Sequence, residues 1–279
     1  MDFLDSNLVD EIISLALKED IGEGDISTDS LVGEQEEASA YIIAKEEGVL
    51  AGLPIAERVF RRLDPKINWY VHKSDGDKIA KGDLIVEFTG KLRAILTGER
   101  TALNFLQRMS GIATATYRFA DALKEFNTRI LDTRKTAPGQ RMLDKYAVRA
   151  GGGTNHRIGL YDMVMIKDNH IKAAGSISNA VRIVREKTPA HIKIEVETTN
   201  LDEVREALAS GADIIMLDNM STDLMKKAVE IIDGKAKVEA SGGVSFDRLK
   251  SIAAAGVDFI SVGALTHSVK ALDLSQYIK

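Results

Sequence analysis

Between Arg129 and Gly263 six short segments recur, "RILD", "MVMIK", "IKIEVE", "DIIMLD", "AKVEAS" and "DFISVG", separated by helical stretches such as "NLDEVREALASG" and "SFDRLKSIAAAG". Strands that are nearly all apolar need cover on both faces, and alternation with helices supplies it by building a parallel sheet. Six such units with connections of this length favour a (β/α) barrel, complete or left open, over a doubly wound sheet; strand order itself is not written in the residues.

The residues ahead of these units read differently. A helix is expected from about Leu8 to Lys18 with Asn7 as its cap, then strands in "ASAYIIAK", "GVLAG" and "INWYVHK", with "PIAERVFRRL" as a helix that begins at a proline. "DGDKIAKGDLIVEFTG" has the paired Gly-Asp turns of a carrier-domain hammerhead, but it lacks the Met-Lys-Met of an acyl carrier and is read as a turn-rich piece of sheet. From Leu96 a long helical run places Leu103, Leu106, Met109, Ile112 and Ala113 on one stripe, with a break expected at Gly111 because an interior glycine costs about 1 kcal/mol relative to alanine. The expected organisation is an N-terminal α+β sandwich domain over 1–112, a (β/α) barrel over 113–266, and a tail over 267–279 that packs on the first domain.

In a (β/α) barrel the site forms where the strands' carboxyl ends converge. Here those ends carry Thr133-Arg134-Lys135, Lys167, Glu197, Asp218, Ser241-Gly242-Gly243 and Gly263. One polar strand end meets solvent and means nothing; a polar group or glycine on every one reads as a rim. The glycines after the last two strands leave backbone N–H groups uncovered, which is how such barrels bind phosphate. Glu197 and Asp218, on neighbouring strands, form a carboxylate pair that could hold Mg²⁺, accept hydrogen bonds from sugar hydroxyls or transfer protons, and the residues do not select among these roles. Glu195 shares the face of Glu197 by strand period, one step further from the rim.

The net charge of -5 over 279 residues argues against a general nucleic-acid binder, so any anion site is local. Arg134, Lys135 and Lys167, with His156 and Arg157 from "GGGTNHRIGLYD", supply one. Each cation about 4 Å from a unit negative charge contributes about 4 kcal/mol at a dielectric of 20 before desolvation, so the group suits a multiply charged anion. His156 alone, like His170, would read as a structural hydrogen-bonder; Arg157 beside it brings it into the site. With no cysteine, disulfides and thiolate metal ligands are excluded. The acidic start and the absence of a long apolar run lead to an expected cytoplasmic protein with no membrane partner.

The blocks "EDIGEGDIST", "GERTALNFLQRMSGIAT", "DTRKTAPGQR", "GGGTNHRIGLYDMVMIKDNH", "EVE", "MLDN", "EASGGV" and "ISVGALTHS" together resemble the quinolinate phosphoribosyltransferases over nearly the whole chain. The resemblance implies transfer of phosphoribosyl from phosphoribosyl pyrophosphate to quinolinate with loss of CO₂, giving nicotinate mononucleotide and pyrophosphate in de novo NAD biosynthesis. It implies Mg²⁺, held by Glu197 and Asp218 directly or through water. It assigns catalysis to Lys135, Glu197 and Asp218. Substrate binding is carried over to Arg134, Lys135, Thr136, His156, Arg157, Lys167, Glu197, Asp218, Ser241, Gly242, Gly243, Ser261, Val262 and Gly263, with Arg100 donated by a second subunit of a homodimer or hexamer. The neighbouring reading is a related barrel transferase, of the molybdenum-associated kind, that acts on another aromatic acid.

Overall fold

The computed structural model describes residue 4 and residues 7–279. In chain order the elements are α1 (Asn7–Ile21), α2 (Ile26–Leu31), β1 (Glu37–Ala44), β2 (Gly48–Val49), α3 (Leu53–Leu63), β3 (Asn68–Val71), β4 (Lys78–Ile79), β5 (Leu84–Lys91), α4 (Leu92–Ala122), β6 (Arg129–Leu131), α5 (Arg141–Ala150), β7 (Val164–Ile166), α6 (Asp168–Ala174), α7 (Ile177–Lys187), β8 (Ile194–Thr198), α8 (Leu201–Ala209), β9 (Ile214–Asp218), α9 (Thr222–Ile232), β10 (Lys237–Ser241), α10 (Leu249–Ala254), β11 (Phe259–Ser261), α11 (Ala264–His267) and β12 (Leu274–Ile278). They fall into two compact units, one of residues 1–117, 136–152 and 265–279, the other of 118–135 and 153–264. Residues 136–152, which the sequence reading assigned to the barrel domain, group with the first unit.

The first unit is built on an antiparallel sheet in the order β12-β1-β5-β3. The chain's tail is one of its edge strands, with Ala40 opposite Ile278 and Ala44 opposite Leu274. The Gly-Asp segment is β4 and β5, and β5 lies inside the sheet between β1 and β3, so its role there is structural. Trp69, Phe60 and Phe88 pack together with ring centroids 4.8 to 5.8 Å apart. Helix α3 starts at Gly52 and Leu53, whose N–H groups have no capping side chain of their own; Asp75 supplies one, accepting from Gly52 at 2.8 Å and Leu53 at 3.1 Å.

Helix α4 corrects the expected break at Gly111, running unbroken through it with Leu103, Leu106, Met109, Ile112 and Ala113 all buried. The glycine is there for packing. A Cβ at Gly111 would lie 2.1 Å from the carbonyl oxygen of Lys270, so the helix meets the 270–271 backbone only because no side chain intervenes.

The second unit is a six-stranded parallel sheet in the order β6-β11-β10-β9-β8-β7. Each strand lies beside its successor in the chain except β6 and β7, and the last strand, β11, returns to pair with the first. That is the cyclic winding of a barrel with its seam left between β6 and β7, and not the reversing order of a doubly wound sheet. Thr154 partly fills the seam through a parallel bridge to Leu131. Residues alternate along each strand: Val196, Ile215, Leu217, Val238, Ala240 and Ile260 form the buried apolar set. The opposite parity is left for the site. Among the described residues no helix is long and apolar enough to cross a membrane.

Candidate active site

The residues of that other parity, Met165 and Lys167 on and after β7, Glu197 on β8, Met216 and Asp218 on β9, Glu239 and Ser241 on β10, and Ser261 on β11, line one cavity of about 530 Å³. Thr133, Arg134 and Lys135 after β6, His156 and Arg157, and Asn219, Gly242 and Gly243 complete it. Ladder register sets the levels: Glu197 and Glu239 both stand opposite Met216, while Ser241 stands opposite Asp218 at the rim. The cavity lies at the strands' carboxyl ends, where the rim was expected.

Asp132 anchors the cationic side. Fully buried just past β6, it accepts from the backbone N–H of His156 at 2.8 Å and from Asn155 Nδ2 at 2.5 Å, tying the glycine-rich loop to the end of the first barrel strand. Arg157 follows, donating to the carbonyl of Met163 at 3.1 Å. Burial first, and then the guanidinium of Arg134, push its pKa below the ordinary arginine range. Two guanidiniums whose charges disfavour each other in this way are relieved by an anion that both can reach. Lys167 Nζ pairs with Glu197 Oε2 across neighbouring strands, so an anion that enters competes with Glu197 for the lysine.

Below these lies a buried triad. His156 Nε2 is 2.9 Å from Glu195 Oε2 and 3.2 Å from Glu239 Oε2, and both carboxylates are closed to solvent. Burial opposes charge on the imidazole, but the two glutamates outweigh it and push the pKa up to about 10. The amide of Arg157 also donates to Nδ1 at 2.7 Å, a contact that favours the neutral ring and works against the two glutamates. Desolvation, and then Glu239, raise Glu195 to about 7. Both ring nitrogens of His156 thus face groups inside the protein, Nδ1 the Arg157 amide and Nε2 the two carboxylates.

The anion-binding turn is at the other side. Gly242 and Gly243 have φ of 84° and 56°, in the left-handed region, directly after β10. At Gly242 a Cβ would sit 2.4 Å from Asn219 Oδ1. Asn219 Nδ2 in turn donates to Asp218 Oδ2 at 2.8 Å.

Arg134, Lys135, His156, Arg157, Lys167, Glu197, Asp218, Ser241, Gly242, Gly243 and Ser261 are therefore brought together. Val262 and Gly263 do not line the cavity; Val262 is buried and its N–H continues the ladder to Leu131. Thr136 belongs to the first unit, where its Oγ1 accepts from Arg141 Nε at 3.2 Å, and Arg100 is an exposed residue of α4 in that unit. His170 is structural: its Nδ1 accepts from the Lys167 N–H and caps α6. Met165, Met216, Asn219 and Glu239 line the cavity without having been expected there. The period of two would have found Glu239, which stands two residues before Ser241 on one strand.

A barrel that collects cations, carboxylates and a glycine turn at the carboxyl ends of its strands defines an enzyme that handles multiply charged anions. Comparison with known proteins narrows the class: residues 25–110 match the N-terminal domain and residues 112–276 the C-terminal domain of quinolinate phosphoribosyl transferase. The chain belongs to the quinolinate phosphoribosyl transferase family. It is 49% identical over 257 residues to a probable nicotinate-nucleotide pyrophosphorylase [carboxylating] of Bacillus subtilis, covering 92% of this chain and 89% of that one. A probable enzyme of the same name from Synechocystis is 48% identical over 274 residues, covering 97% and 92%. The solved structure of NadC from Streptococcus pyogenes superposes with a TM-score of 0.94 at 42% identity, covering 97% of this chain and 96% of that one.

Proposed function

We propose that the chain transfers the phosphoribosyl group of phosphoribosyl pyrophosphate to quinolinate and releases CO₂, forming nicotinate mononucleotide and pyrophosphate for de novo NAD biosynthesis. The observation that carries this reading is the division of the cavity: arginines and lysines after β6 and before and after β7, carboxylates at β8 and β9, an open glycine turn after β10. Arg134, Lys135, Arg157 and Lys167 bind the two carboxylates of quinolinate and the pyrophosphate. The Ser241–Gly243 turn takes the 5-phosphate on backbone N–H groups.

Glu197 and Asp218 face the sugar. As pyrophosphate departs, positive character grows at the anomeric carbon, and two carboxylates held near it stabilise that charge more than they do the ground state. The pyridine nitrogen attacks, the ring becomes cationic and stabilises the electron pair left on the adjacent carbon when its carboxylate departs as CO₂, and that carbon then takes up a proton from solvent. No covalent nucleophile is required; the site positions and neutralises.

Mg²⁺ fits the residues present. Among the described residues Glu197 and Asp218 are not part of any three-ligand cage, and Mg²⁺ is usually held by one or two carboxylates together with substrate phosphates and water. When bound, the ion supplies charge neutralisation for the departing pyrophosphate, and these two side chains would hold it. We further infer a homodimer or hexamer in which Arg100 serves the neighbouring subunit's site. The exposure of Leu15, Ile26, Leu31, Leu160 and Tyr161, each at 67% or more, supports an assembled state. The cytoplasm is the inferred location.

The test supplies phosphoribosyl pyrophosphate and Mg²⁺ with quinolinate labelled in the carboxylate at ring position 2. The expected result is stoichiometric release of labelled CO₂ and nicotinate mononucleotide. Absence of CO₂ with quinolinate, together with turnover of another aromatic acid, would replace this reading with the related transferase.

A further inference from the structure

Two residues other than glycine have left-handed backbone among the described residues, Asp233 at φ 48° and Asn219 at φ 54°. Asp233 is the C-cap of α9, an ordinary place for that conformation. Asn219 caps nothing. It follows β9 directly and lies in the cavity wall, where its position has to be explained by what it touches.

It touches both halves of the sugar-phosphate site. Its backbone N–H donates to the carbonyl of Ser241 at 2.9 Å, carrying the β9–β10 ladder one residue past the end of β9. Its Nδ2 donates to Asp218 Oδ2 at 2.8 Å, selecting one orientation of that carboxylate. Its Oδ1 and Cγ occupy the space where a Gly242 Cβ would be, at 2.4 and 2.5 Å, so the amide packs against the glycine turn. Asparagine is among the few side-chain-bearing residues that tolerate the left-handed region.

We propose that Asn219 is a positioning residue that locks the Asp218 carboxylate to the Ser241–Gly243 turn, so that the sugar hydroxyls and the 5-phosphate of phosphoribosyl pyrophosphate are read at a set separation. This rests on the reading of the cavity given above. The side chain spans from the carboxylate to the turn, and losing it frees both at once. The effect belongs to the phosphoribosyl substrate and not to the pyridine acid, whose cations come from β6, β7 and the glycine-rich loop.

Asn219→Gly is the informative variant, because glycine adopts φ 54° without strain and removes only the amide. Titration calorimetry with ribose 5-phosphate, which carries the sugar hydroxyls and the phosphate but no leaving group, is expected to show roughly tenfold weaker binding, the size of one lost hydrogen-bonding group. KM for phosphoribosyl pyrophosphate should rise in step, with KM for quinolinate changed less than about twofold on the same scale. Asn219→Asp keeps the shape but turns the donor into a second carboxylate facing Asp218, and should lose more than the glycine variant. If Asn219→Gly binds ribose 5-phosphate as the parent does, or if both KM values rise alike, the proposal is overturned. If the parent binds neither ribose 5-phosphate nor phosphoribosyl pyrophosphate, the reading of the cavity has failed instead.

Discussion

At the scale of single residues the triad under the cavity is a costly arrangement: two buried carboxylates share one imidazole. Removing the histidine leaves both without a counter-charge, whereas removing one carboxylate leaves a matched pair. His156→Gln should therefore lose on the order of 3 kcal/mol at pH 7. The pKa of the imidazole, at about 10, lies above the ~6.5 of an unfolded histidine, so its stabilisation is complete below pH 6.5 and disappears as pH rises through 10. Thermal unfolding of parent and variant should show the difference between them shrinking across that interval. Glu195, raised from 4.5 to about 7, works against the fold as pH climbs between those values. Glu195→Gln should flatten the stability profile there and melt no lower than the parent above pH 7.

The same residues show where sequence reasoning stops. Glu197 and Asp218 are evident because each ends an apolar run. Glu195 is placed one step deeper by parity alone. That His156, almost forty residues earlier in the chain, lies against it follows from the loop that Asp132 holds, which no local pattern announces.

Elements were easier to locate than to delimit. The apolar runs mark the barrel strands, yet their ends shift wherever the last residue takes another role, as Lys167 does in starting α6 and Asp132 in holding the loop. Helix α4 shows propensity yielding to packing. Gly111→Ala should gain up to about 1 kcal/mol in helix propensity, but the new methyl overlaps the Lys270 carbonyl. Since backbone cannot give way as a side-chain tip can, a net loss of roughly 2 kcal/mol is expected by chemical denaturation. An increase in stability would show that the 270–271 segment is free to move.

For the whole molecule, the inferred sharing of Arg100 between subunits has a direct check. Arg100→Ala and Lys135→Ala proteins, each nearly inactive, should recover a fraction of parental activity when mixed and allowed to exchange subunits, because some sites then receive both native residues. No recovery after exchange has been demonstrated by mass spectrometry would mean that each chain completes its own site. The alternation of strand and helix, the polar residue at each strand end and the two distinct halves of the chain all follow from periods of 2 and 3.6 in the residues, since those periods decide which side chains can share a face. The seam between β6 and β7, the histidine set between two glutamates and the asparagine seated on Gly242 depend on contacts between segments far apart in the chain. Such contacts are chosen by the closure of the sheet, which acts on all the strands together and leaves no local trace.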